Sequence, residues 1–326
     1  MDSYAVIGLG NISKRHRKNL KMLHPEAKIY ALSASGRKPK EFVEFADEIL
    51  ISLGDLIKCN PKMVIVASPA TYHAEHAIPL IKAGIPVLIE KPVSANTLDS
   101  QNIIDVAAKN KVPVAIGYCL RYLSSTKYLK KELEKNIIGN LYNVFIEIGQ
   151  YLPDWRPSKN YRDCVSARAE LGGGALLELS HELDYAQWLL GAFTPVHVVL
   201  RSSKELGLNV EDSADILALN KQDTVISIHL DFLQKKAHRK CRLLGSKGSI
   251  EWDLINNQII LITDTAEQLV FDGKDWNRNQ MYLDMLLDFE SLIAGEDNSC
   301  ITVKEAHNTI RLIEEIKHKE LTAKNL

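Results

Sequence analysis

Short apolar runs alternate with segments of helical spacing over roughly the first 120 residues. The runs are Tyr4–Gly8, Lys28–Leu32, Lys62–Ala67, Pro86–Glu90 and Val112–Gly117. Between them the spacing predicts helices over Ile12–Leu23, Glu41–Phe45, His73–Ala83 (closed by Gly84) and Thr97–Asn110. Strands this apolar, alternating with helices, belong to a parallel sheet covered on both faces. The pattern predicts a doubly wound α/β domain.

From Tyr142 onward the period changes to two. Tyr142–Gln150, Val196–Arg201, Ala214–Leu219, Val225–Phe232, Lys240–Leu244, Ser249–Asp253 and Gln258–Thr263 all alternate as half-buried strands do. They follow one another without long helices between them, which predicts an antiparallel sheet. Helices are expected over Ala175–Leu190, Gln280–Ala294 and Val303–Lys319. No internal repeat or low-complexity linker interrupts the chain. The change of pattern divides it into residues 1–121 and 122–326.

Composition narrows the classes. The 326 residues are 46% hydrophobic and 25% charged, ordinary for a globular protein and too apolar for a disordered one. Forty Lys and Arg against 41 Asp and Glu leave a net charge of −1, without the basic footprint of a nucleic-acid binder. The local basic run Lys235–Lys240 reads as a solvated strand end or turn. The five cysteines, Cys59, Cys119, Cys164, Cys241 and Cys300, form no CxxC pair, which removes the zinc-ribbon and redox-dithiol patterns. Scattered thiols fit a reducing compartment. Met1-Asp2-Ser3 leads straight into a strand, and no apolar run approaches the roughly 20 residues of a membrane span. The expectation is a cytoplasmic protein with neither a membrane nor a nucleic-acid partner.

Candidate chemistry sits at the strand ends. Gly8-Leu9-Gly10-Asn11-Ile12-Ser13 follows the first strand and opens a helix, the setting of a dinucleotide-binding turn. Gly8 permits the tight turn, Gly10 lets a pyrophosphate approach the backbone, and the helix N-terminus at Asn11 and Ile12 offers amides and positive dipole. Ser13 stands where a third glycine is usual. The second strand ends in Ser33-Ala34-Ser35-Gly36-Arg37-Lys38, without the acidic residue that binds a ribose 2′-hydroxyl. Ser33, Ser35 and Arg37 suit a 2′-phosphate, so NADP is favoured over NAD. Ser68, Pro69, Thr71 and His73 follow the third run at the carboxyl edge of the sheet, where ligands bind in open α/β folds; Ser68, Pro69 and His73 are candidate cofactor contacts and Thr71 a candidate helix cap. Glu90-Lys91-Pro92 ends the next strand, where a lysine can donate to a reacting oxygen.

In this order and at these strand ends, the four motifs resemble the Gfo/Idh/MocA family of NAD(P)-dependent oxidoreductases over nearly the whole chain. The resemblance implies an N-terminal Rossmann doubly wound parallel sheet and a C-terminal α/β domain with an open, mostly antiparallel sheet. It makes residues 1–121 the dinucleotide-binding domain and 122–326 the substrate-binding and oligomerisation domain. It makes Lys91 the lysine that positions or polarises substrate, and Glu90 and Lys91 part of the cofactor's surroundings. The family's arginine–aromatic segment matches Gly117-Tyr118-Cys119-Leu120-Arg121-Tyr122, bringing in Arg121 beside the cofactor and Tyr118 beside the substrate.

Gly172-Gly173-Gly174 precedes a helix bearing Glu178, His181 and Asp184. His181 and Asp184, three apart, share a helix face. The family pattern places a carboxylate four residues before the histidine. Here the interval is one residue shorter, so the slot is Glu178 counted from the glycines and Leu177 counted back from His181. His181 is expected to give or accept the reaction's proton. Tyr151 to Arg162 is rich in aromatics and arginine: Trp155 and Tyr161 offer faces to a sugar ring, Arg156 and Arg162 charge to a carboxylate or phosphate. In wording this segment resembles a branch of the family associated with bacterial surface-sugar synthesis.

The resulting expectation is hydride transfer between NAD(P) and a hydroxyl-bearing carbon of a sugar, polyol or nucleotide sugar. His181 and Lys91 are catalytic, and no metal takes part, because His73 and His76 lack a companion ligand cluster. The alternative is a non-catalytic NAD(P)-binding regulator on the same fold. The open sheet face is expected to form a homo-oligomer, dimer or tetramer, packed sheet to sheet.

Overall fold

The computed structural model describes residues 1–40 and 42–324. The chain divides into two compact units. One is Met1–Cys119 with Tyr282–Ile310, the other Leu120–Met281 with the chain from Arg311 onward.

In the first unit, strands β1 (Ser3–Ile7), β2 (Lys28–Leu32), β3 (Glu48–Leu50), β4 (Val64–Val66), β5 (Val87–Glu90) and β6 (Val114–Gly117) pair in the order β3-β2-β1-β4-β5-β6. Every pairing is parallel. Helices α1 (Asn11–Leu23), α2 (Leu53–Lys58), α3 (His73–Lys82) and α4 (Thr97–Asn110) make the crossovers. Val64, Ile65 and Val66 are fully buried, as the apolar runs require of strands with both faces covered. The strand order reverses between β1 and β4, so the crevice beyond their carboxyl ends is the natural ligand site of the sheet. The peptide bond between Lys91 and Pro92, just past β5, is cis.

The helix expected over Glu41–Phe45 does not form. Glu41 lies outside the described residues, and the chain after it turns, with Phe45 in the left-handed region at φ 61°. Its polar groups are used elsewhere: the Glu44 carbonyl accepts from Arg17 Nε at 2.9 Å. Beyond the turn lie β3 and α2, which the sequence pattern did not reveal because three and six residues are too few to show a period. The sequence division at 121/122 also grouped the last helices with the second half. Here α8 (Gln280–Ala294), from Tyr282 on, belongs to the first unit. Glu290 on it accepts hydrogen bonds from Tyr4 Oη (3.4 Å) and His24 Nε2 (2.5 Å), and the Ile301 carbonyl accepts from Ile116 N at 2.9 Å.

The second unit holds α5 (Ser124–Glu134), β7 (Leu141–Gly149), α6 (Ala175–Glu178), α7 (His181–Leu190), β8 (Phe193–Arg201), β9 (Ser213–Asn220), β10 (Val225–Asp231), β11 (His238–Gly245), β12 (Gly248–Asp253), β13 (Gln258–Ile262) and β14 (Glu267–Asp272). The sheet order is β14-β13-β12-β11-β7-β10-β9-β8. The β7–β10 pair is parallel and the other neighbours are antiparallel. One face of the sheet is buried: Val144, Ile146, Ile226, Ile228, Leu243 and Trp252 lie on it, and Trp252 donates its indole N–H to Ser125 Oγ at 2.8 Å. The other face carries Phe145, Val199 and Leu217, each about 40% exposed, among charged residues. Lys235 lies in the turn before β11, its ammonium over the Tyr151 ring.

Two further differences concern helices. The single helix expected over Ala175–Leu190 is two, α6 and α7, separated by a turn at Leu179 and Ser180. The last helix, α9 (Val303–Lys324), runs past Lys319. Among the described residues no helix is long and apolar enough to cross a membrane.

On the open sheet face His229 sits between two carboxylates, Nδ1 at 2.6 Å from Asp215 and Nε2 at 2.9 Å from Asp231. Hydrogen bonding to Asp231 is the chief cause that raises its pKa to about 9, against burial, with Asp215 adding to the rise. A raised pKa stabilises the fold while the histidine is charged. That contribution is complete below the unfolded value of about 6.5 and is lost as pH rises through 9. Chemical denaturation should therefore show stability falling between pH 6.5 and 9, and the fall should shrink in His229→Gln. An identical slope in the variant counts against this pair.

Candidate active site

The turn after β1 fits a dinucleotide in its backbone. Gly8 has φ +116°, and a Cβ there would strike the Ala67 carbonyl at the end of β4 and the Ser13 hydroxyl. Ser13, fully buried, donates from Oγ to that same carbonyl at 3.3 Å, so a small polar residue replaces the third glycine and ties α1 to β4. A Cβ at Gly10 would meet nothing within 4 Å, leaving the outer side of the turn open. Gly10 is the N-cap of α1; no side chain caps the helix and no acid occupies its first turn. Open space at a dipole-positive helix start fits a pyrophosphate held by Gly8, Gly10, Asn11 and Ile12. Arg17, buried on the next turn, donates to the Gly8 carbonyl at 3.2 Å and holds the turn from behind. At the end of β2, the Ser33 and Ser35 hydroxyls lie 3.2 Å apart and Arg37 is exposed.

Three buried histidines lace the neighbouring loops together. His16, on α1, donates from Nε2 to Glu90 Oε1 at 2.6 Å, and Glu90 Oε2 accepts from Lys91 N at 3.2 Å. His73, at the start of α3, has Nδ1 at 2.9 Å from the Pro92 carbonyl and Nε2 at 2.7 Å from the Ser68 carbonyl. Burial pushes its pKa below 6.5 against the pull of those carbonyls and of Glu90. His76 accepts from Ser68 Oγ at 2.9 Å and bonds the Ala34 backbone; burial lowers its pKa too. His73 was expected beside the cofactor, but both its ring nitrogens face backbone carbonyls. Pro69 leads into a short 3₁₀ turn, and α3 has no side-chain cap: Thr71 does not cap it, and its Oγ1 is buried without a protein partner. His16 was not singled out in the sequence. It stands three residues beyond Ser13, within the helix that the glycine turn opens, and that position was the available signal.

In the second unit the glycine triplet serves close packing. Gly173 N donates to the Arg168 carbonyl (2.9 Å) and Gly174 N to the Ser166 carbonyl (3.0 Å), while a Cβ on Gly173 would strike the carbonyls of Val165 and Ser166. Gly174, at φ +107°, leaves room for the Glu211 carboxylate, which accepts from Leu176 N at 3.2 Å. Glu178 ends α6 and His181 begins α7, both half-buried and on different helices. Asp184 and Arg121, expected at substrate and cofactor, join in a buried two-point pair, Nε to Oδ2 at 2.9 Å and Nη2 to Oδ1 at 2.7 Å. The next acid on α7, Glu182, is fully buried and makes a second such pair with Arg239 on β11, at 2.7 and 3.0 Å. Sequence patterning did not reveal it.

The remaining candidates sit as follows. Tyr118 is wholly buried in the first unit. Trp155 donates its indole N–H to the Gln150 carbonyl at 3.2 Å and sets its ring edge-on to Phe232. Tyr161 Oη donates to the Leu206 carbonyl at 3.0 Å, the exposed Arg162 lies over the Tyr161 ring, and Arg156 is half-buried.

Comparison with known proteins agrees with this architecture. Residues 3–118 match the Gfo/Idh/MocA oxidoreductase family with NAD-binding Rossmann fold, and residues 126–251 match the Gfo/Idh/MocA C-terminal domain. The rhizopine catabolism protein MocA of Rhizobium meliloti is 30% identical over 140 residues, 42% of this chain and 41% of that protein, so the match spans less than half of that relative. Myo-inositol 2-dehydrogenase of Thermotoga maritima is 26% identical over 79% of this chain and 77% of its own. A levoglucosan dehydrogenase in complex with NADH and levoglucosan superposes with a TM-score of 0.85 at 16% identity, covering 98% of this chain and 97% of that one. The WlbA dehydrogenase of Bordetella pertussis, in complex with NADH and UDP-GlcNAcA, gives 0.82 at 19% identity, covering 99% and 97%. At these identities the two structures speak for the fold.

Proposed function

The chain belongs to the Gfo/Idh/MocA family of oxidoreductases, and on that premise we propose that it moves hydride between NAD(P) and a hydroxyl-bearing carbon of a sugar, polyol or nucleotide sugar. The observation that carries this reading is the open glycine turn at the sheet's switch point, with the Glu90-Lys91-Pro92 turn on the same sheet edge. The names of the similar proteins, a myo-inositol 2-dehydrogenase, a levoglucosan dehydrogenase and a WlbA dehydrogenase in complex with UDP-GlcNAcA, support the substrate class. The first unit binds cofactor; the second binds substrate through Trp155, Arg156, Tyr161 and Arg162. A nucleotide sugar used in bacterial surface-sugar synthesis is the finer reading, supported by Arg156 and Arg162, whose charge suits its phosphates.

When bound, the nicotinamide supplies the hydride chemistry. In the oxidation direction His181 takes the hydroxyl proton, and Lys91 donates a hydrogen bond to the same oxygen as negative charge develops there. The test is turnover, read at ~340 nm, on a panel of sugars, polyols and nucleotide sugars, since reduced nicotinamide alone carries that absorbance. Lys91→Ala and His181→Ala should each lower the rate by roughly 100- to 10,000-fold. Their double variant should lose less than the product of the two, because groups acting on one proton transfer are not additive. Near-normal turnover in His181→Ala would remove it from the proton's path.

NADP is the favoured cofactor: the Ser33 and Ser35 hydroxyls, 3.2 Å apart, and the exposed Arg37 follow β2 with no acid among them, and suit a 2′-phosphate. Arg37→Ala should weaken NADP far more than NAD in fluorescence titrations. Equal losses, or tighter NAD binding by the unaltered chain, would reject the preference.

The open face of the eight-stranded sheet, with Phe145, Val199 and Leu217 on it, is the surface through which copies of the chain associate. Light scattering at micromolar concentration should give a dimer or tetramer, and Phe145→Asp with Leu217→Asp should give monomer. A monomeric unaltered protein contradicts this assignment.

A further inference from the structure

We propose that His16 and His73 are positioning residues for Lys91, two buried histidines that hold the Glu90-Lys91-Pro92 turn from both ends. The inference rests on the reading of Lys91 as a proton-handling residue. What it adds is the origin of that residue's order.

A lysine side chain is a flexible stem carrying a compact charge, so its placement against a reacting atom must come largely from the backbone that bears it. Here the backbone is tied on both sides. On the N-terminal side the chain of contacts is His16 Nε2 to Glu90 Oε1, 2.6 Å, then Glu90 Oε2 to Lys91 N, 3.2 Å. On the C-terminal side the Pro92 carbonyl meets His73 Nδ1 at 2.9 Å, and the same ring meets the Ser68 carbonyl at 2.7 Å. Lys91 is the residue between these two anchors.

The anchors are themselves fixed. His16 and His73 are 0% and 1% exposed and project from different helices, α1 and α3. Tyr282 sets its ring edge against His16 at 6.2 Å, and Arg15 covers the Tyr282 ring at 4.6 Å. Gly117, at the end of the neighbouring strand β6, closes the far side of Glu90: a Cβ there would lie 3.3 Å from the carboxylate. Glu90 is thus wedged between Gly117 and His16 and cannot swing away from Lys91 N without leaving its buried partner. Unpairing a buried carboxylate is strongly unfavourable. The same helix that opens at the glycine turn therefore also sets the Lys91 turn, and a cofactor seated on that turn meets a lysine whose backbone is already placed.

The test reads the turn directly and needs no substrate. In the full chain, acetylation of Lys91 by N-succinimidyl acetate is timed by peptide mass spectrometry against an exposed standard, Lys58. His16→Leu and His73→Leu should each raise the Lys91 rate toward that of Lys58, by about threefold or more, as the turn gains freedom. His16→Gln keeps an N–H for Glu90 and should stay near the unaltered rate. Glu90→Leu removes both acceptors, the one for His16 and the one for Lys91 N; it should raise the rate as His16→Leu does, and it serves if a histidine variant does not fold. Unchanged Lys91 labelling in the folded leucine variants overturns the proposal. So does an equal rise in His16→Gln and His16→Leu, which would mean that the imidazole acts by filling space alone. Labelling is indifferent to whether Lys91 handles a proton. Failure here leaves the catalytic reading standing, and normal turnover in Lys91→Ala removes that reading without touching the clamp.

Discussion

A carboxylate that leaves water must find a charged or strongly donating partner, and Glu90 is the one on which the first unit's ligand edge depends. It is 7% exposed at the end of a central strand. Its partner His16 must face the sheet from the second turn of α1, which fixes the rotation of that helix about its axis. That rotation in turn decides where the helix N-terminus and the glycine turn before it point. The residue opposite on β6 is Gly117, where a Cβ would press on the carboxylate at 3.3 Å and push it from its place. One buried charge thus links three strand ends, β1 through its helix, β5 directly and β6 through Gly117.

The second unit solves its own version of the same problem with arginines. Helix α7 carries two acids that are buried, Glu182 and Asp184, and each receives a two-point pair, from Arg239 on a strand and from Arg121 just before α5. Two planar pairs from different directions leave a short helix little freedom to turn or slide. His181, its first residue, inherits that placement. The glycine triplet works on the same principle of close approach: Gly173 and Gly174 admit the 165–168 backbone and the Glu211 carboxylate, and Glu211 then satisfies an amide at the start of α6. Asp184 in this setting serves first to anchor His181.

The sequence showed what has a period. Apolar runs located the long strands of the parallel sheet, and the change from alternating runs and helices to a period of two located the antiparallel one. Elements too short or too polar for a period were lost: β3, α2, the edge strand β14, whose Glu267 and Gln268 are exposed and give no apolar alternation, and the helix α5, which buries the polar Ser125 and Thr126 beside Leu129. The false helix at 41–45 came from apolar spacing in a segment whose chain must reverse before β3. The split of one expected helix into α6 and α7 falls where the glycine-to-histidine interval is a residue short, so that anomaly was visible in the sequence though its structural form was not. The return of Tyr282–Ile310 to the first unit could not be read locally, because it depends on Glu290 reaching Tyr4 and His24 across most of the chain.

Site residues were legible where backbone conformation carries the chemistry and hidden where side chains act on one another. Gly8 advertises itself, since few other residues tolerate its backbone angle, and Gly10 by its place two residues on, between a strand and a helix. A buried histidine does not, because the same residue serves as catalyst, ligand or brace. The structure separates those uses by asking where the ring nitrogens point. His73 has both on backbone carbonyls, His76 one on a hydroxyl and a bond to the Ala34 backbone, and His16 one on Glu90. Burial holds the pKa of His73 and His76 down; a neutral His76 accepts from the Ser68 hydroxyl while donating to the Ala34 backbone, whereas a neutral His73 donates to one of its two carbonyls at a time. A lysine or arginine in place of His76 offers donors only and would leave the Ser68 hydroxyl without its acceptor. Imidazole suits a brace between two loops for the reason that it suits proton transfer: two directional polar atoms on one rigid ring. These three rings use those atoms to hold the sheet edge.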